Sequence, residues 1–138
     1  MHRRTHQRRV FLSYSHADAD RGWVRAFAES LRKRGVKVWF DEFEVKPGEP
    51  LVEAMEQGLR ASDSIVFVMT PESVNRPNVF FEIGAAIAGG KRMVAIVSKD
   101  LDPSLLPQPL RTRRFLAQGP PEQTADELVS EASAVKES

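Results

Sequence analysis

Glu82 stands in the run Asn78-Val79-Phe80-Phe81-Glu82-Ile83-Gly84-Ala85-Ala86, with apolar residues on both sides. A carboxylate in such surroundings could stabilise a developing sugar cation, or attack it, as in cleavage of a glycosidic bond. Gly84 and the alanines after it would let a ligand or a neighbouring backbone approach closely. Taken alone, the residue has a simpler account: an acidic side chain near a helix start, favoured there by the helix dipole. Other candidates lie earlier in the chain. Ser15 and His16 follow an apolar run and could contact phosphate or base groups, although a loop histidine near a helix start is the plainer reading. Asp41 ends a second apolar run, where it could bind a ribose hydroxyl or cap the turn. Trp39 and Phe40 read as core, not as stacking platforms. Lys46-Pro47-Gly48 reads equally as a mobile lid, a partner-binding loop or a plain surface turn.

Several chemistries are excluded. The chain has no cysteine, so disulfides, thiolate catalysis and cysteine-based zinc sites are absent. Gly84, Gly89 and Gly90 do not have the spacing of a phosphate-binding glycine loop. There is no HExxH pair and no Gly-x-Ser-x-Gly elbow. All three histidines, His2, His6 and His16, lie near the start, and no metal site is expected from them.

The elements that must position Glu82 alternate between strand and helix. Val10-Phe11-Leu12-Ser13-Tyr14 is a strand-like run, broken by Ser15-His16-Ala17-Asp18, with Asp18 suited to cap the next helix. Trp23, Val24, Phe27, Ala28 and Leu31 recur at helical spacing, and Gly35 is placed to end that helix. Residues 36–40 form a second strand, and Pro47-Gly48 signals a turn. Pro50 suits the first turn of a helix with an apolar stripe of Leu51, Val52, Met55 and Leu59. Residues 65–69 and 93–97 are continuous apolar strands of the kind buried on both faces. Between them, 71–78 reads as a polar loop and 79–88 as a mostly apolar helix closed by Gly89-Gly90. Residues 100–118, with Pro103, Pro107 and Pro109, read as largely irregular, with a short fifth strand at Phe115-Leu116. Residues 125–135 read as a last helix.

This alternation implies an α/β fold: a flavodoxin-like three-layer domain with a five-stranded parallel sheet, order 2-1-3-4-5, and helices on both faces. Ligands bind such sheets at the carboxyl ends of the strands, where the order reverses between strands 1 and 3. The loops after strands 1, 2 and 3 and the start of the Glu82 helix then surround one cleft, with Ser13 and Tyr14 at its edge.

Composition fits one domain. At 138 residues, 41% hydrophobic and 28% charged, the chain is of globular type. No apolar run approaches the ~20 residues of a membrane span, and the basic first ten residues lack the apolar core of a secretory signal. A cytoplasmic protein without membrane contact is expected. Residues 1–8 read as a disordered basic tail and 9–135 as the folded domain. Without Arg3, Arg4, Arg8 and Arg9 the remainder carries 16 basic against 19 acidic residues. That slightly acidic body argues against a nucleic-acid partner.

Val10-Phe11-Leu12-Ser13-Tyr14-Ser15-His16-Ala17-Asp18 resembles the opening strand of Toll/interleukin-1 receptor (TIR) domains. The resemblance continues through Gly35-Val36-Lys37-Val38-Trp39-Phe40-Asp41 and through Lys46-Pro47-Gly48-Glu49, which is similar to the family's BB loop. It takes in Ala61-Ser62-Asp63-Ser64 and the Glu82 helix, covers roughly residues 8 to 98, and is closest to stand-alone bacterial sequences. It implies an enzyme that cleaves the nicotinamide–ribose bond of NAD as a substrate, with no separate cofactor, and forms ADP-ribose or a cyclic or modified ADP-ribose. Glu82 falls on the family's catalytic glutamate. His16 falls where some members carry a basic residue near the substrate, and Asp41 on the acidic end of strand 2. The substrate side would be completed by Ser13, Tyr14 and Asn78. The resemblance further implies self-association through Lys46, Pro47 and Gly48, a separate sensor or effector protein, and a role in bacterial anti-phage defence or signalling. Catalytic members often carry Trp four residues before the glutamate, where this chain has Asn78. That difference supports a non-catalytic TIR adaptor as a second reading. A third is a nucleoside 2-deoxyribosyltransferase-like enzyme, whose glutamate-bearing helix residues 78–86 also resemble.

Overall fold

The apolar runs pair as strands β1 (Arg9–Ser13), β2 (Lys37–Trp39), β3 (Ser64–Met69), β4 (Arg92–Val97) and a short β5 (Leu116–Ala117). They are joined by helices α1 (Asp18–Lys33), α2 (Leu51–Ala61), α3 (Pro77–Ala88), α4 (Gln108–Arg111) and α5 (Pro121–Glu137). The computed structural model describes residues 8–14, 18–39, 48, 51–74, 77–113 and 115–137, with 18–21, 51–52, 54–55, 77–78 and 131–137 described by their backbone. Pro50 lies outside the described residues. All strand pairings are parallel, in the order β2-β1-β3-β4-β5. This is the expected sheet.

Strand periodicity sorts the core into two layers. Val10 and Leu12 of β1, Val66 and Val68 of β3 and Ile96 of β4 face Val24, Phe27, Ala28 and Leu31 of α1 and Ala125 and Leu128 of α5. The alternate residues Phe11, Ile65, Phe67, Met69, Met93, Ala95 and Val97 face Leu59 of α2, Val79, Ile83 and Ala86 of α3, and Leu110 of α4. Helices therefore cover both faces, as continuous apolar strands require. Each fully buried large side chain contributes about 1.5–3 kcal/mol of transfer free energy. The first layer is also pinned by polar contacts. Trp23 Nε1 donates to the Gly119 carbonyl at 2.8 Å. Arg34 Nε donates to Asp126 Oδ1 at 2.6 Å, which holds the Asp126 carboxyl below its ordinary value. Arg8 Nη1 donates to the Val129 carbonyl at 3.3 Å.

Helix ends follow the glycines. Gly35 (φ 83°) ends α1 and Gly90 (φ 65°) ends α3. In each case the next N–H reaches back five residues, Val36 to Leu31 O at 3.1 Å and Lys91 to Ala86 O at 2.8 Å, the pattern that satisfies the last carbonyls of a helix. Residues 100–118 are more ordered than their three prolines suggest. Pro103 opens a 3₁₀ turn, Pro103–Leu105, and Pro109 lies in the first turn of α4. At those positions a missing N–H costs nothing, because no carbonyl of the helix would receive it. The last helix starts at Pro121 rather than Ala125 for the same reason.

Trp39 is partly buried and packs against the second core layer. Its indole stacks flat on Phe11, ring centroids 4.7 Å apart and planes 7° apart. Gly58 of α2 lies over the same indole, and a Cβ there would stand 2.7 Å from three ring atoms. Gly58→Ala gains about 1 kcal/mol of helix propensity but forces the stacked ring to move, which typically costs about 1–3 kcal/mol. We expect the variant to unfold at lower urea concentration than the parent. A higher midpoint would mean that Trp39 shifts without loss.

Candidate functional site

The carboxyl end of β3 is stapled before α3 begins. Ser73 Oγ accepts from the Thr70 N–H at 2.8 Å and donates to the Val68 carbonyl at 3.1 Å, with both side chains buried. The Ser73 and Val74 N–H groups both donate to Thr70 O at 3.0 Å. This turn sets the exit of the chain from the sheet. Pro77, pre-set in φ, then opens α3.

Within α3, Val79, Glu82, Ile83 and Ala86 are buried, a stripe at i, i+3, i+4 and i+7 that faces the sheet. Phe80, Phe81 and Ile87 are more than half exposed on the remaining surface. The apolar residues of this helix thus divide between two sides. Gly84 is exposed, and a Cβ there would meet nothing within 4 Å. No described neighbouring backbone therefore makes a close approach at Gly84, which lies two residues along the helix from Glu82 and on the opposite side from it.

Glu82 is 3% exposed, and among the described residues it is the only buried Asp, Glu, Lys, Arg or His. Its Oε1 accepts a hydrogen bond from the Ser13 hydroxyl. Ser13 is the last residue of β1 and pairs with Phe67 of β3, so the contact sits at the carboxyl end of the sheet where the strand order reverses. The expected position within the first turn is corrected. Because α3 begins at Pro77 and not Val79, Glu82 is its sixth residue, and no acidic residue occupies its first turn. The dipole effect is confined to that first turn, so a helix-start account does not explain a buried glutamate here.

The other sequence candidates are placed as follows. Tyr14 is buried in the layer against α1 and α5, on the other face of β1 from Ser13. Asn78 is the second residue of α3, one helical turn before Glu82. Gly48 has φ 90°, as the Pro47-Gly48 turn signal requires. Ser15, His16, Phe40, Asp41, Lys46 and Pro47 lie outside the described residues. Among the described residues no group of three or more His, Asp or Glu side chains is placed to hold a metal ion, and no helix is long and apolar enough to cross a membrane. The pairing of Ser13 with Glu82 escaped the sequence reading. Its signals are parity, which puts Ser13 on the same face as Phe11, and the 79/82/83/86 stripe, which turns Glu82 inward.

An anion in apolar surroundings acts on a nearby positive charge far more strongly than in water. Taking a carboxylate out of water costs stability, and groups held at such a cost concentrate at functional sites.

The buried carboxylate at the strand-order reversal and the parallel sheet covered on both faces define a doubly wound α/β domain. A family model described as TIR domain matches residues 10–129, and the chain belongs to that family. It is 33% identical over 84 residues to the 2' cyclic ADP-D-ribose synthase BtTIR of Bacteroides thetaiotaomicron, covering 61% of this chain and 29% of that protein. It is 36% identical over 61 residues to the NAD(+) hydrolase TcpA of a Theionarchaea archaeon, covering 44% of this chain and 18% of that protein. The chain thus spans less than a third of the curated relatives it matches. Among solved structures, a metazoan TIR-STING receptor from C. gigas superposes with TM-score 0.72 at 24% identity, over 88% of this chain and 38% of that one, a likeness of fold.

Glu82→Gln keeps the shape of the side chain and an acceptor for Ser13 while removing the charge. We expect its melting temperature to equal or exceed that of the parent. A fall of several degrees would show that the charge itself supports the fold.

Proposed function

We propose that this chain cleaves the N-glycosidic bond between nicotinamide and ribose in NAD, with Glu82 as the catalytic group. The observation that carries the reading is the buried carboxylate at the strand-order reversal. It is supported by relatives named as a 2' cyclic ADP-D-ribose synthase and an NAD(+) hydrolase.

The chemistry suits one carboxylate. Nicotinamide is positively charged in NAD, so when the C–N bond breaks its electron pair leaves with a neutral ring and no acid is required. The ribose carbon becomes oxocarbenium-like, and an ionised Glu82 held nearby stabilises it. Water then adds to that carbon and releases a proton, giving ADP-ribose. A hydroxyl of the same ADP-ribose adding instead gives a cyclic product. The protein's further task is to hold the sugar in place, which on this reading falls to His16, Asp41, Asn78 and the end of β1.

The test is chromatography of NAD incubated with concentrated protein. Wild type should release nicotinamide, and Glu82→Ala and Glu82→Gln should lose at least ~10²-fold in rate while retaining the fold. Equal release by the variants would sink the assignment. Folded, assembled protein without turnover would favour the adaptor reading. Base exchange on deoxynucleosides supplied with a free base would favour the deoxyribosyltransferase reading.

On the same reading the protein acts in the cytoplasm, associates with its own kind through the loop carrying Lys46, Pro47 and Gly48, and answers to a separate sensor or effector in anti-phage defence or signalling. If a second copy completes the site, specific activity should rise with protein concentration. Activity per molecule that stays constant over a wide dilution range would exclude that arrangement.

A further inference from the structure

We infer that Ser13 is a positioning residue: its hydroxyl holds the Glu82 carboxylate in place and does not itself contact substrate. The inference rests on the reading of Glu82 as the catalytic carboxylate, and it moves Ser13 from substrate contact to a supporting role.

Three observations converge. First, Ser13 is 5% exposed, and its hydroxyl donates to Glu82 Oε1. A hydroxyl has one proton to donate, so that proton is not available to a ligand. Second, Ser13 is the only polar side chain among the buried residues on its face of β1, β3 and β4. Its companions there are Phe11, Ile65, Phe67, Met69, Met93, Ala95 and Val97. A polar group in the middle of such a layer is costly unless it is hydrogen-bonded, and this one is spent on the carboxylate. Third, Ser13 is fixed by backbone pairing beside Phe67 on a strand flanked by β2 and β3. Only its side-chain torsion is free to vary. The donor is therefore built on a strand paired on both sides, as a preorganised site requires.

The choice of serine has a chemical consequence. A lysine or arginine at position 13 would also orient Glu82, but it would cancel the charge that an oxocarbenium needs. A hydroxyl donates to the charged form and favours it without neutralising it.

The experiment compares wild type with Ser13→Ala and Ser13→Thr, measuring kcat and KM for NAD and the melting temperature. Loss of a partner that orients a reactive group commonly costs about 10- to 100-fold in activity. Ser13→Ala should lose that much in kcat with KM unchanged, and Ser13→Thr, which keeps the hydroxyl, should recover most of it. A raised KM at unchanged kcat would assign Ser13 to substrate contact and overturn the inference. So would normal values of both. If Ser13→Ala does not fold, Ser13→Cys, close in size with a weaker donor, must show reduced kcat at unchanged KM, and wild-type kcat in it overturns the inference. The two levels of the argument separate cleanly. Normal turnover by Glu82→Ala removes the catalytic assignment and this inference with it, whereas an inactive Glu82→Ala beside a fully active Ser13→Ala removes only the role of Ser13.

Discussion

The backbone ladder between β1 and β3 runs in parallel from Val10↔Ser64 to Ser13↔Phe67, and both strands are buried on both sides. Two parallel neighbours cannot be joined by a tight turn. The chain between them must leave the sheet and return, adding β2 at one edge, and the chain after β3 must cross over to build β4 and β5 on the other side. The reversal of direction at β1 and β3 leaves their carboxyl ends side by side with no connection passing directly between them. α1 and α5 cover one face and α2, α3 and α4 the other because that ladder offers apolar side chains to both. The placement of Glu82 follows from the same ladder, since α3 can bury its stripe only by lying against β3 and β4.

Energetically the site works against the layer in which it sits. Phe11, Phe67 and Met69 are 1% exposed or less and exclude water from the α3 face. A carboxylate inserted there loses hydration and regains part of that loss through the Ser13 hydrogen bond. A domain selected only for stability would carry a leucine or methionine at that position of the stripe. A buried glutamate beside this apolar layer is the physical ground for reading a function into it, and membership of the TIR family agrees with that reading.

Much of this was legible in the sequence, for identifiable reasons. The runs 65–69 and 93–97 are apolar at every position, which marks central parallel strands, and the helix-ending glycines Gly35 and Gly90 adopt the positive φ that glycine tolerates. Boundaries set by proline were less legible. Pro77, Pro103, Pro109 and Pro121 each lie within the first two residues of a helical segment, where proline reads locally as a breaker but acts as a starter. The short β5 begins at Leu116, one residue later than the sequence suggests, because two residues carry no periodicity. Glu82 stands out from its neighbours in the sequence, but its burial does not, because a glutamate near a helix start has a local account in the helix dipole. Its partner could be found only by combining strand parity with the sheet order, information that no local window contains.

Ser13 and Glu82 are separated by 69 positions in the chain. A ribosome therefore makes the donor long before the acceptor, and the two meet only after β3 has paired with β1 and α3 has folded back over the sheet. A nascent chain halted anywhere before α3 has no assembled site, however well its first half folds. The order of the strands alone thus delays this contact until α3 has been made.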